Sequence, residues 1–193
     1  MMDIKIERIT GADRVRLRPA VVFGSDGPEG ALCAVKMLLD VLSADPEFTR
    51  LDVTRQEDGS IKISMDGSGL YLGSGQPEDD LLWKERFDEI PCSSAYDKHV
   101  PDLSSYFRKT DVFEEFDLCA VQYASEFMDV TVYRDGLEFR LHFEKGENKG
   151  GLTVLPTQQP NGTHIRFRLD DTVFSSTQFP REAVAEYLRE KQS

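Results

Sequence analysis

The chain has 193 residues, a length that suits one domain, 1–193, with a sizeable core and leaves little room for a second. Its hydrophobic content of 39% and aromatic content of 10% argue against a disordered chain. A net charge of −12 argues against electrostatic binding to nucleic acid or to anionic membranes, and no apolar run approaches the length that spans a bilayer.

In chain order, Ile4, Ile6 and Ile9 suggest a short strand or arm, and residues 12–17 a polar helical turn that Arg18-Pro19 breaks. Ala20 to Phe23 is a brief apolar run, and the GSDGPEG stretch after it is built from turn residues. Gly30 to Ala44 reads as the central helix. Ala31, Leu32, Val35, Leu38, Leu39 and Leu42 recur at offsets of three and four and give it one broad apolar face for packing on a sheet. Pro28 and Glu29 suit its first turn, and Pro46 ends the pattern.

A hairpin follows, with strands at Leu51–Gln56 and Ile61–Met65 and a type I′ turn expected at Asp58-Gly59. Asp66 to Leu70 leaves it as a small glycine loop, and residues 73–111 mix acidic and Gly/Pro-rich patches with short helical pieces, one pinned by Trp83 and Phe87. Residues 116–127 carry a mostly helical pattern through Leu118, Val121, Tyr123 and Phe127. A second hairpin runs from Val130 to Phe143 around Asp135-Gly136; two further strands are expected at Leu152–Leu155 and His164–Leu169, and a closing helix at Pro180–Gln192. This order predicts an α+β two-layer sandwich with helices on one face of a largely antiparallel sheet. Cys33, Cys92 and Cys119 form no C-x-x-C pair, which points to a reducing compartment and no zinc site. His99, His142 and His164 have no metal-ligand spacing, and the N-terminus has no apolar signal core, so a cytoplasmic protein is expected.

Four segments in the same order resemble the N-terminal ATP-binding domain of the DNA gyrase B protein and its topoisomerase IV counterpart, of the GHKL superfamily. They are ITGADRVRLRPAVVFGS, EDGSIKISMDGSGL, SEFMDVTVYRDGLEFRLHFEKG and GTHIRFRLDDTVF, and the similarity runs from about Ile9 to Phe174. The resemblance implies the GHKL (Bergerat-type) ATPase fold. It also implies where the chemistry should lie, and there this chain departs.

The family's central helix carries a glutamate as general base and, four residues later, an asparagine that holds Mg²⁺. Aligned on Gly30, those places are Met37 and Val41, whose thioether and isopropyl groups neither take a proton nor bind a hard cation. Asp40 stands beside Val41 but about 100° round the helix. The aspartate that reads the adenine amino group is replaced by Met65. Of the vestigial nucleotide pocket, Asp66 (where the family has asparagine), Gly67, Gly69 and Thr163 remain, and the family's arginine has become Ser68. The glycine-rich phosphate lid aligns with residues 111–117, DVFEEFD, four carboxylates and no glycine.

The resemblance, read with these losses, implies a catalytically inactive pseudo-ATPase domain with no catalytic residue, metal or cofactor. It would act through an unknown protein partner, with gyrase-type subunits as candidates. The alternative is an ATP- and Mg²⁺-binding topoisomerase fragment with a displaced catalytic set such as Asp40 or Glu114. A different small ligand in the remodelled pocket and an acidic mimic of DNA are further readings. The chain stops at Ser193, before the transducer and DNA-cleavage domains of the family, so topoisomerase activity is not expected of it alone.

Overall fold

A computed structural model of the chain describes residues 11–45, 47–70 and 114–191. Helix α1 (Gly11–Leu17) places Asp13 in its first turn and Arg14 and Arg16 in its last, as the helix dipole favours, and turns Val15 into the core. Pro19 stops α1 and starts α2 (Pro19–Phe23), where its missing N–H costs nothing. The short apolar run is therefore helical, and its Phe23 packs on Phe174 with ring centroids 5.3 Å apart.

Helix α3 (Pro28–Ser43) is the central helix, with Pro28 at its first position. Ala31, Ala34, Val35, Leu38, Leu39, Val41 and Leu42 are all buried, so nearly its whole length lies inside. Its neighbours among the helices are α2, α4 (Glu114–Tyr123) and α5 (Arg181–Lys191).

The strands are β1 (Arg50–Arg55), β2 (Ile61–Asp66), β3 (Ser125–Arg134), β4 (Leu137–Glu144), β5 (Glu147–Asn148), β6 (Thr153–Pro156) and β7 (Gly162–Leu169). They form one sheet in the order β1-β2-β7-β3-β4-β5, with β6 also on β4, and every pairing is antiparallel. Met65, Ile63, Val130, Val132, Leu141, Phe143, Ile165 and Phe167 point to the buried side. The alternate residues form a charged outer face. There the Asp129 carboxylate lies 2.6 Å from Nδ1 of His142, and Arg168 Nε donates to Glu126 at 2.7 Å. The guanidinium groups of Arg166 and Arg168 sit 5.0 and 5.4 Å from the Phe127 ring. The sandwich with helices on one face of an antiparallel sheet is thus the observed architecture.

Two local expectations change. The β1–β2 loop is not a type I′ turn. Arg55 pairs with Ile61, Gln56 N–H donates to Ser60 O at 2.8 Å, and Gly59 alone takes a positive φ, of 81°. This is the longer hairpin loop that ends in a left-handed glycine, held by Asp58 Oδ1, which accepts from Ser60 N–H at 2.9 Å and from its hydroxyl at 2.6 Å. At the second hairpin, Asp135 (φ 53°) and Gly136 (φ 79°) do form the two-residue type I′ turn.

The helical pattern read to Phe127 ends at Tyr123. Ser125 Oγ donates back to the Val121 carbonyl at 2.7 Å, the ladder to β7 slips between Ser125 and Phe127, and Phe127 lies in a strand. The expected arm at 4–9, the pieces between 73 and 111, Pro46, Cys92 and His99 lie outside the described residues.

Candidate functional site

Of the residues singled out from the sequence, Met65, Asp66, Gly67, Ser68, Gly69 and Thr163 come together at the end of β2 and the loop after it. Met65 is the last inward residue of β2 and is completely buried. It faces Thr163 across the β2–β7 ladder, and Asp66 faces Gly162. Thr163 is also fully buried, and its Oγ1 accepts the Leu70 N–H at 2.9 Å, which ties the end of the glycine loop to β7. The Asp66 side chain is exposed, while its carbonyl accepts from Thr49 N–H at 2.9 Å.

The loop is held from both sides by residues that sequence reasoning did not single out. Asp45, just past the end of α3, accepts from Ser68 N–H at 3.0 Å and Ser68 Oγ at 2.8 Å through Oδ2. It also accepts from Glu47 N–H at 2.9 Å through Oδ1. From the other side, Arg134 donates to the Gly69 carbonyl at 3.2 Å. Gly69 has φ +78°, and a Cβ there would stand 2.8 Å from the Tyr133 carbonyl oxygen. The signal for Asp45 was weak: it is a short Asx turn 23 positions away from its partner, marked only by the aspartate itself.

On α3, Val41 is buried and Met37 is half-buried against the core. Asp40, a turn-mate of both, is engaged elsewhere. It accepts the Tyr187 hydroxyl and pairs with Lys191 Nζ at 2.6 Å, both on α5. Burial, and then this bond to Asp40, push the Tyr187 hydroxyl pKa up, so it stays a donor across the ordinary pH range. Asp111, Val112 and Phe113 of the lid-aligned stretch lie outside the described residues, and Glu114 to Asp117 open α4.

Chemically, the thioethers of Met37 and Met65 and the alkyl group of Val41 supply neither a base, nor a hard oxygen ligand, nor an acceptor for an adenine amino group. These residues do not fit an ATP–Mg²⁺ complex held in the way that the GHKL motifs imply. Among the described residues no group of three or more His, Cys, Asp and Glu side chains is placed to hold a metal ion. None of the described helices is long and apolar enough to cross a membrane.

A second polar cluster joins the entry segment to the last strand. Arg16 forms an ion pair with the buried Asp170 and donates to the Tyr123 carbonyl at 2.9 Å. Asp170 Oδ1 also accepts from the Thr172 N–H at 2.8 Å and hydroxyl at 2.6 Å. Burial alone would raise the Asp170 pKa, but the Arg16 and Thr172 donors outweigh it and hold the carboxyl below its usual range.

No protein-family model matches the chain. Among characterised proteins it is 27% identical over 190 residues to the DNA gyrase B protein of Thermotoga maritima, covering 96% of this chain and 29% of that protein. It is 28% identical to the B protein of the type 2 topoisomerase of Aquifex aeolicus, over 96% of this chain and 23% of that one. It is also 28% identical to the B protein of DNA topoisomerase 4 of Enterococcus faecalis, over 97% of this chain and 27% of that one. The chain thus spans less than a third of the length of these relatives. Its fold superimposes on the 43K ATPase domain of Thermus thermophilus gyrase B, solved with an aminocoumarin, with a TM-score of 0.71 and 24% identity over 95% of this chain and 45% of that one. The chain is a homologue of the N-terminal ATPase domain shared by gyrase B and its topoisomerase IV counterpart, and it has that domain's GHKL fold.

Proposed function

We propose that this chain is a gyrase-B-type ATPase domain that has given up nucleotide turnover and works by binding another protein. The observation that carries the reading is Met65. At the position where the family reads adenine with an aspartate, this chain has a fully buried methionine packed as a core residue. Losing that hydrogen-bond partner weakens adenine recognition by about 1–3 kcal/mol, and the thioether fills space besides. Met37 and Val41 add the loss of base and magnesium ligand, so no ATP or Mg²⁺ cofactor belongs to this reading. The remaining pocket residues, Asp66, Gly67, Gly69 and Thr163, then serve to close the loop rather than to cradle phosphate.

The relatives are by name subunits, and gyrase-type subunits are therefore the first partners to test. The net charge of −12 favours a protein partner over direct contact with nucleic acid or anionic lipid, and the cytoplasm is the setting proposed for it. Calorimetric titration with ATP, ADP and a non-hydrolysable analogue in the presence of Mg²⁺ tests the loss of nucleotide. No heat of binding at millimolar nucleotide is the expected result, and micromolar binding would overturn it.

Homology to an ATPase domain favours one other reading, an ATP-binding fragment with a displaced catalytic set. Its candidate base Asp40 is already bonded to Tyr187 and Lys191, which counts against it. If nucleotide does bind, Asp40→Asn and Glu114→Gln variants with unchanged hydrolysis would dispose of that set.

A further inference from the structure

We propose that the groove between α5 and the β1–β2 hairpin is a binding site for a small free carboxylate that carries an apolar tail. The groove encloses about 270 Å³, a little under the roughly 300 Å³ at which pockets for drug-sized ligands begin, so it suits a compact ligand. Its apolar walls are Val53 and Ile61 from the hairpin and Val184 and Leu188 from α5.

Two arginines, Arg55 and Arg181, share this apolar groove. Arg55 donates one terminal nitrogen to Gln178 Oε1 at 3.1 Å and the other to the Thr177 carbonyl at 2.8 Å, and its guanidinium lies 5.0 Å from the Phe179 ring centroid. Both acceptors are neutral. Its Nε is buried with no acceptor, the one such side-chain atom among the described residues. The Arg181 side chain makes no hydrogen bond or ion pair with a described residue. Burial, and after it the like charge of Arg181, lower the Arg55 pKa from the usual guanidinium range.

Two like charges, one of them partly desolvated and carrying an orphaned donor, stand in an apolar groove of a protein whose net charge is −12. An anion is the partner that removes the repulsion between the two guanidinium groups. A carboxylate fits the planar guanidinium fork better than a spherical ion does. The four aliphatic walls call for an apolar extension on the same molecule, and the small volume limits that extension to a medium-length tail. This site is separate from the altered nucleotide pocket and does not depend on how that pocket is read.

The test is methyl NMR on the full chain, titrated with sodium octanoate, 1-octanol and sodium acetate. Octanoate is expected to shift the Val53, Ile61, Val184 and Leu188 methyl signals with saturation, about tenfold more tightly than octanol, while acetate is weaker than octanoate. Arg181→Gln, a change at an exposed position, is expected to remove most of the advantage of octanoate over octanol while the remaining methyl spectrum stays in place. N-acetylglycyl-leucine separates the sources: binding tenfold weaker than octanoate supports a free acid, and equal binding assigns the site to a protein C-terminus and overturns the free-acid assignment. The site is overturned if millimolar octanoate gives no saturable shift, if octanoate and octanol bind alike, or if Arg181→Gln changes nothing.

Discussion

Arg16 and Asp170 lie 154 positions apart, and their ion pair locks α1 to the turn that follows β7. The carboxylate is almost fully buried, so its charge is tolerated only because Arg16 and Thr172 surround it with donors. Removing the cation leaves a buried anion without its main partner. Arg16→Ala is expected to cost about 3 kcal/mol at pH 7, seen as a fall in Tm of roughly 6–12 °C. The sign with pH follows from the lowered Asp170 pKa. Its contribution is fully present above the unfolded value of about 3.9 and is lost as pH falls through the lower native value. The gap in Tm between the natural chain and Arg16→Ala should therefore narrow in melts taken from pH 7 towards pH 3. A gap that is absent at pH 7, or that widens on acidification, would contradict this account.

At the scale of elements, local patterns decided what could be read ahead of the structure. The α3 stripe and the β3–β4 hairpin are written in adjacent residues, and both stand as expected. The end of α4 was not legible, because the apolar residues from Leu118 to Met128 satisfy both a helical and an alternating reading. The helix gives way where Ser125 enters the ladder with β7, its hydroxyl bonded back to the Val121 carbonyl. The short helix α2 hid for the opposite reason, being too brief to show a period. At the site, Met37, Val41 and Met65 are picked out in the sequence by motif order alone, whereas the Asp45–Ser68 clamp depends on a long-range contact that no local pattern encodes. The two loops that flank β2 give an element-scale prediction through glycines with nearly equal φ, +78° at Gly69 and +81° at Gly59. A Cβ at Gly59 meets nothing within 4 Å, so Gly59→Ala should cost only the left-handed backbone penalty of about 1–2 kcal/mol. A Cβ at Gly69 runs into the Tyr133 backbone at 2.8 Å, and Gly69→Ala should cost at least about 1 kcal/mol more. Urea unfolding of the two variants side by side measures the difference, and equal midpoints would show that the loop gives way freely.

Across the whole molecule, the fold is that of a gyrase-B-type ATPase domain, and in the proposed reading the positions matched to that family's nucleotide contacts serve as core. Val41 and Met65 sit at 6% and 0% exposure, buried in the same core as Leu38, Leu39 and Leu42 of α3. In an enzyme that had merely shifted its catalytic set, restoring the family's aspartate at 65 would be tolerated and would strengthen ATP binding. In a domain rebuilt around an apolar interior, the same change buries a carboxylate beside Ile63 and Ile165 with no cation to pair it and only the Thr163 hydroxyl across the ladder to donate to it. Such a group costs several kcal/mol, about 3–5 by comparison with other uncompensated buried charges. Met65→Asp is therefore expected to lower Tm by roughly 6–20 °C, and millimolar ATP with Mg²⁺ should not recover the loss. Ligand that bound only the folded state at a hundred times its Kd would return about 2.7 kcal/mol, a recovery that thermal melts would readily show. A near-neutral Met65→Asp whose Tm rises with ATP would mean that the adenine pocket persists, and the pseudo-ATPase reading would fall.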